Sequence, residues 1–265
     1  MSNNGMDGQA ILVTGGGTGI GRACARRLVE AGARVTICGR TESSLLATIE
    51  EIEAAGLPGS IQLITGDVTN EADVEAFMTR AAEPTGSLTG VIANAGGGGM
   101  PMAYGDVDTE EFMRVLNLNV LGTMLCMKHS IPLMQTSGGG SFVGMSSLAG
   151  HITHPYFHAY CAGKAGIEAM MRNAADEYGK DKIRFNAIRP GFIATEIMAG
   201  IPEDSDVYRS YIENTPMDGV GQPEDVADLA RFLLGDESRW ITGQCINVDG
   251  GHSLRRGPDF SSFVG

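Results

Sequence analysis

The chain has 265 residues, 43% of them hydrophobic and 19% charged, with a formal net charge of −13. That length and composition suit one globular α/β unit with a large buried core. The acidic balance argues against nucleic acid and anionic membrane as partners, and no apolar run approaches the roughly 20 residues of a membrane span. Five dispersed cysteines without a C-x-x-C pair suit reduced thiols in a cytoplasmic protein rather than a disulfide framework. Residues 1–8 are polar, lack the apolar stretch of a signal peptide and are expected to be disordered.

In chain order the pattern reads strand, helix, strand. An apolar run at 10–13 meets a glycine-rich turn, and helical spacing over 22–31 ends at Gly32. A strand at 34–38 precedes an amphipathic helix over 43–55, with Leu45, Leu46, Ile49 and Ile52 on one face. Strands are expected at 61–65, 88–93, 141–145, 183–188 and 245–248. Helices are expected at 71–82, 156–178 and from Pro223 to about 234. Asp108 followed by Glu111 predicts the start of one long helix reaching about residue 134.

Such alternation implies parallel pairing through right-handed crossovers. The expected fold is a single-domain, Rossmann-like doubly wound parallel sheet of about seven strands over residues 9–254. Ligands then sit beyond the carboxyl ends of the strands. Residues 195–221 are the least regular stretch, with Glu203, Asp204 and Asp206, and suit a mobile cover or a solvated loop. Residues 255–265 read as a loosely held polar tail.

The first strand runs into Thr14-Gly15-Gly16-Gly17-Thr18-Gly19-Ile20-Gly21. Backbone N–H groups at a helix N-terminus attract phosphate, and glycine allows close approach of a pyrophosphate. A flexible turn needing positive φ explains the glycines equally, but their place in the first βα unit favours the nucleotide. An NAD-selecting acid would stand at the end of the second strand. Gly39 and then Arg40 stand there, so a guanidinium is in reach of a 2′-phosphate and NADP(H) is favoured over NAD(H). Glu42 keeps NAD open.

Tyr160 and Lys164 lie four residues apart in a helical pattern and so share a face. A free phenol titrates near 10, and a neighbouring ammonium lowers that value, which would make Tyr160 a usable proton carrier. Such a pair also arises by chance on surface helices. His151, His154 and His158 suit a pocket lining or the surface better than a metal site. Gly96-Gly97-Gly98-Gly99 reads as a loop over the site. Met100, Met102, Met198 and Met217 suit an adaptable apolar wall or plain core.

Several dispersed motifs occur in one order: Thr14 to Gly21, Asp67-Val68, Asn94-Ala95-Gly96, Asn119, Ser147, Tyr160 with Lys164, Pro190-Gly191 with Thr195, and Asp249-Gly250-Gly251. In that set the chain resembles the short-chain dehydrogenase/reductase family over residues 10–251. The resemblance implies an NAD(P)-dependent oxidoreductase that transfers a hydride between the nicotinamide and a secondary alcohol or ketone. By it, Tyr160 is the general acid/base, Lys164 lowers its pKa and holds the ribose, and Ser147 stabilises the carbonyl oxygen. Asn119 carries a proton relay. Adjacent Ser146 and Asn117 compete for the last two roles, and the family spacing selects Ser147 and Asn119.

The resemblance also assigns the cofactor to Gly15, Thr18, Gly19, Ile20, Gly21, Asp67, Val68, Asn94, Ala95, Gly96, Pro190, Gly191, Ile193 and Thr195, with no metal. Thr18 stands where many NADP-dependent relatives carry Arg or Lys, so the phosphate reading rests on Arg40. The Tyr–Lys spacing of four points to carbonyl rather than C=C reduction. A 3-oxoacyl-thioester reductase and a non-catalytic nucleotide sensor are the alternatives. A homotetramer is implied, with the Tyr160 helix and the preceding long helix across one interface and the last strand across another.

Overall fold

β-Rich apolar runs bounded by glycines and helix caps become parallel strands. The computed structural model describes residues 5–83, 85–196, 198–255, 257, 260 and 263. The strands are β1 (Ala10–Thr14), β2 (Arg34–Gly39), β3 (Ser60–Thr65), β4 (Gly90–Ala93), β5 (Gly140–Met145), β6 (Ile183–Pro190) and β7 (Cys245–Val248). They form one sheet in the order β3-β2-β1-β4-β5-β6-β7 with every pairing parallel. The helices are α1 (Gly19–Glu30), α2 (Glu42–Ala54), α3 (Glu71–Ala82), α4 (Thr109–Leu116), α5 (Gly122–Thr136), α6 (His158–Tyr178), α7 (Asp206–Glu213) and α8 (Pro223–Leu234). The expected doubly wound Rossmann-like sheet is what the chain adopts.

Strand side chains alternate between the two faces, so each strand feeds two cores. Ile11, Val13, Ile92 and Val143 pack with α1, α2 and α8 on one face. Leu12, Val91, Phe142 and Phe185 pack with α3, α5 and α6 on the other. The order of strands reverses between β1 and β4. Thr14 Oγ1 accepts the Asn94 and Ala95 N–H groups at 3.0 and 2.9 Å, joining the ends of those two strands. The crevice that ligands use in such sheets opens there.

Three expectations need correction. The single helix over 108–134 is interrupted. Asp108 caps α4 by accepting from the Glu111 N–H at 2.7 Å, but a π-helical turn, Asn117–Leu121, separates α4 from α5. There the Asn119 amide donates to the Val115 carbonyl at 2.8 Å, one turn back along the interrupted helix. Second, residues 195–221 contain α7, capped by Ser205, whose Oγ accepts from the Tyr208 N–H at 3.1 Å. Val207 and Tyr211, four apart, bury its inner face, while the acids that suggested irregularity sit outside.

Third, Met6 and Phe260, inside the two polar terminal segments, are buried. Of the 1–8 segment expected to be disordered, residues 1–4 lie outside the described residues. Met6 is buried, and its N–H donates to the Ala31 carbonyl at the end of α1. In the tail, residues 256, 258, 259, 261, 262, 264 and 265 lie outside the described residues, but Phe260 is buried. In both places one large apolar side chain outweighs its polar neighbours.

Phe142 is fully buried and stacks on Phe185 with ring centroids 5.6 Å apart. Phe142→Ala is expected to lower the unfolding free energy by about 3–5 kcal/mol, read from denaturant titration at unchanged m-value.

Candidate active site

Helix α6 carries the two residues with the strongest chemical claim. Its start follows a loop that drops from the end of β5, so Tyr160 and Lys164 face the strand ends. Lys164 is buried, and its Nζ donates to the Met145 carbonyl, the last of β5, at 2.8 Å. The same Nζ lies 5.4 Å from the Tyr160 ring centre. Burial pushes the Lys164 ammonium down to about 8. Tyr160 is half-buried, and its hydroxyl is in hydrogen-bond contact with the Ser147 side chain.

The two serines separate cleanly. Ser146 is buried, and its Oγ donates to Glu168 Oε1 at 2.9 Å and to the Lys164 carbonyl at 3.1 Å. Ser147 is only half-buried and turns toward Tyr160. Asn119 is fully buried; its amide donates to the Gly97 carbonyl at 2.9 Å, and its Oδ1 accepts the Gly97 N–H at 3.4 Å. Gly96 lies directly against both Asn119 Oδ1 and Lys164 Nζ. The four residues thus come together from β5, α6 and the π-turn.

In the protein alone the surroundings of Tyr160 shift its phenol upward. Burial raises the phenol above its ordinary value, against the lowering effect of the Ser147 hydrogen bond. The lysine proton bound to Met145 points elsewhere, and desolvation of the phenolate dominates.

The glycine turn fits a dinucleotide. Thr18 occupies the N-cap of α1 without a side-chain cap bond, and no acid stands in the first turn, so N–H groups of that turn lack a side-chain cap. Gly15 has φ +67°, and a Cβ on Gly21 would stand 2.1 Å from the Gly15 carbonyl oxygen, so neither position accepts a side chain. Ile20 is half-buried beside them. Asn94 Nδ2 donates to the Thr14 and Gly15 carbonyls at 3.1 and 3.3 Å, fixing the turn to β4, and Ala95 follows it.

At the other end of the crevice Asp67 faces Arg40 at 4.0 Å. Burial alone would raise the Asp67 carboxyl, but the Thr69 N–H and hydroxyl, and then the Arg40 charge, hold it below its ordinary value. Val68 is buried against Gly122. Pro190 ends β6, and the Gly191 N–H donates to the Val248 carbonyl at 2.9 Å. Ile193 bridges to Gly221, and Thr195 packs its methyl against Gly19. A strand-end crevice, a glycine turn and a Ser–Tyr–Lys set therefore lie along one edge of the sheet.

A family model described as Enoyl-(Acyl carrier protein) reductase matches residues 15–253. The chain is 35% identical over 242 residues to cis-4-hydroxycyclohexanecarboxylate dehydrogenase of Sinomonas cyclohexanicum, covering 91% of this chain and 95% of that protein. Glucose 1-dehydrogenase of Gluconobacter oxydans is 34% identical, with 93% and 92% covered. A short-chain type dehydrogenase/reductase structure from Mycobacterium ulcerans superposes with a TM-score of 0.95 at 43% identity, covering 98% of this chain and 94% of that one. The chain belongs to the short-chain dehydrogenase/reductase family. It is an oxidoreductase acting on alcohol and carbonyl groups, in a family that binds NAD(P)(H).

In this dehydrogenase/reductase the sequence motifs pass over two groups of residues that shape the site. Glu168, one turn beyond Lys164, is buried and receives Arg189 Nε and Nη2 at 2.5 and 2.6 Å. The pair fastens α6 to the end of β6 and, through Ser146, to the end of β5. The four-residue step from Lys164 to Glu168 was the available signal; a partner twenty-one residues away was not predictable from it. The second group is aromatic. Phe157 meets Tyr160 edge-on at 6.3 Å, and Phe192 stacks on Tyr211 at 4.3 Å.

The histidines diverge. His151 is exposed, His158 lies near Tyr104 and Phe112, and His154 is buried beside Tyr211. Among the described residues no group of three or more His, Cys, Asp or Glu is placed to hold a metal ion. Met198 packs on the aromatic cluster, whereas Met100 and Met217 are exposed. An Arg22–Glu196 ion pair at 3.0 Å joins α1 to the segment after β6. Both side chains are at least a third exposed, so it adds little stability.

Two consequences are measurable. Glu168→Ala leaves the Arg189 guanidinium, with its side chain 13% exposed, without its carboxylate, and is expected to cost about 3–5 kcal/mol in denaturant unfolding. Burial pushes His154 down from 6.5 to about 4, against its bond to the Ile152 carbonyl. Between those values the unfolded chain binds a proton that the folded chain refuses, so stability falls as pH falls through that window. The full effect is on the order of 3 kcal/mol, and His154→Leu is expected to flatten the dependence of unfolding free energy on pH between 6.5 and 4.

Proposed function

We propose that this protein interconverts a secondary alcohol and its ketone, with NADP(H) preferred over NAD(H). The observation that carries the reading is the contact of Tyr160 with Ser147 on one side and its proximity to buried Lys164 on the other. Ser147 donates a hydrogen bond to the carbonyl oxygen and stabilises the charge that develops on it. Tyr160 gives its proton to that oxygen in reduction and takes it back in oxidation. The raised phenol of the protein alone suits the donor role. A bound nicotinamide supplies or accepts the hydride, and its positive charge when oxidised favours the phenolate.

Lys164 would hold the ribose hydroxyls, and Asn119, whose Oδ1 lies with Lys164 Nζ against Gly96, would link it to solvent as the proton relay. Gly15 to Gly21, with Thr18 and Ile20, receive the pyrophosphate, and Asp67 and Val68 flank the adenine. Asn94, Ala95 and Gly96 line the strand ends, and Pro190, Gly191, Ile193 and Thr195 receive the carboxamide. The NADP(H) preference is supported by Arg40, 69% exposed on its side chain just after β2, with Gly39 before it instead of an acid.

Five free cysteines favour a reducing, cytoplasmic setting. A homotetramer is favoured by apolar side chains exposed at the two expected interfaces: Met113 and Met124 on α4 and α5, and Trp240, 92% exposed, just before β7. No helix among the described residues is long and apolar enough to cross a membrane.

A second reading, reduction of a 3-oxoacyl thioester, is favoured by the likeness to 3-oxoacyl-[acyl-carrier protein] reductase of Brucella melitensis, with a TM-score of 0.88 at 33% identity. A panel containing cyclohexanone and acetoacetyl-coenzyme A separates the two by which oxidises the reduced nicotinamide. On the accepted substrate, Tyr160→Phe is expected to lower kcat by about 10²–10⁴-fold with nicotinamide affinity unchanged. Undiminished turnover would overturn the mechanism. Fluorescence titration with NADPH and NADH is expected to show NADPH binding tighter, by about tenfold or more, and Arg40→Ala to abolish the difference. Equal affinities in the parent would defeat the NADP assignment.

A further inference from the structure

The start of α1 has an anion beside it that α1 does not supply. Thr18 makes no side-chain cap bond there, and no acid stands in the first turn of the helix. Glu196 comes in from the segment after β6 instead. Its Oε2 lies 3.4 Å from the position that a Cβ on Gly19, the first residue of α1, would take. Its other oxygen, Oε1, receives Arg22 Nη2 at 3.0 Å. The same Arg22 nitrogen donates to the Gly17 carbonyl at 3.1 Å. One guanidinium thus ties Glu196 to the glycine turn.

A helix N-terminus attracts a carboxylate and a phosphate for the same reason, the positive end of its aligned peptide dipoles. The two anions are therefore rivals for one place. Like charges a few ångströms apart repel, and more strongly where a ligand displaces the water between them. The tether that holds Glu196 is weak, because its side chain is 53% exposed and its pair with Arg22 is screened by solvent. The side chain also has room to turn away. A cavity of about 820 Å³ opens beside Gly19, Arg22 and Glu196 and extends to Arg26, one turn further along α1.

Resting on the assignment of the glycine turn to the cofactor's pyrophosphate, we propose that the Glu196 carboxylate holds the pyrophosphate place in the protein alone and is displaced when the cofactor binds. Glu196 thereby lowers the affinity for NAD(P)(H). The repulsion acts on the two phosphates that NADP(H) and NAD(H) share, so it weakens both alike and leaves the choice between them to Arg40. Glu196 adjoins Thr195, so arrival of the diphosphate also moves the segment that receives the carboxamide.

The test is calorimetric titration of the full-length protein at low ionic strength with ADP, adenosine, NADPH and NADH. Glu196→Gln keeps the size of the side chain and an oxygen for Arg22 but removes the charge. It is expected to tighten ADP, NADPH and NADH by about three- to tenfold each, with the NADPH/NADH ratio unchanged. Adenosine, which carries no phosphate, is expected to bind parent and variant equally, or neither. Glu203→Gln makes the same change of net charge on the wall of the same cavity and is expected to leave ADP affinity within about twofold of the parent. The gap between parent and Glu196→Gln is expected to narrow in 0.5 M NaCl, about the concentration at which screening falls to a few ångströms.

Unchanged or weaker ADP binding in Glu196→Gln, equal tightening of adenosine, or equal tightening in Glu203→Gln would overturn the proposal and leave the nicotinamide reading intact. If ADP binds but neither nicotinamide does, the nicotinamide reading fails and the ADP comparison still decides the part of Glu196. If no diphosphate binds the parent or either variant, the pyrophosphate assignment falls and the proposal with it.

Discussion

Lys164 must be buried to sit behind Tyr160, and a buried ammonium needs oxygen atoms at fixed places. The Met145 carbonyl supplies one at 2.8 Å, and it is available because β5 ends there. The rest of the site depends on keeping α6 at that distance from the strand ends. The Glu168–Arg189 pair does this from one turn further along, and Ser146 ties both ends of the arrangement together by bonding Glu168 and the Lys164 carbonyl. With Ser146 committed to that bracing, its neighbour Ser147 faces Tyr160. Two adjacent serines of identical chemistry are thereby given different tasks by burial alone.

The opposite wall of the crevice depends on the same sheet edge. β1 and β4 are neighbours although their sequence positions are some eighty residues apart, and the Thr14 hydroxyl accepts from both Asn94 and Ala95 to lock their ends. The glycine turn after β1 is held by these contacts and by the Gly15 and Gly16 N–H groups bonding the Cys38 carbonyl. A helix start with an uncapped first turn is therefore presented at the place where the strand order reverses. The π-turn at Asn119 is part of the same construction, since its amide serves both a broken helix and the Gly97 backbone.

The aromatic cluster is built differently: its rings come from the loop before α6, the segment after β6, α7 and Phe260. Non-directional apolar packing tolerates variation in shape, which suits the part of an enzyme that differs among relatives with different substrates.

The amino-acid sequence by itself determined the sheet, because short continuous apolar runs bounded by turn glycines and helix caps are local signals. It marked β2, β5 and β7 to within a residue of their observed ends and α3 without error. It also marked the glycine turn, Arg40, Ser147, Tyr160 and Lys164, because motif spacing is local or ordered along the chain. Only the tertiary structure decided the break at Asn119, the Glu168–Arg189 brace, the direction of the Tyr160 pKa and the burial of Met6 and Phe260. Each of these depends on an atom far away in the sequence, or on the water removed when distant elements meet. Desolvation has no sequence period, so the upward shift of the Tyr160 phenol in the protein alone could not be read from its spacing to Lys164.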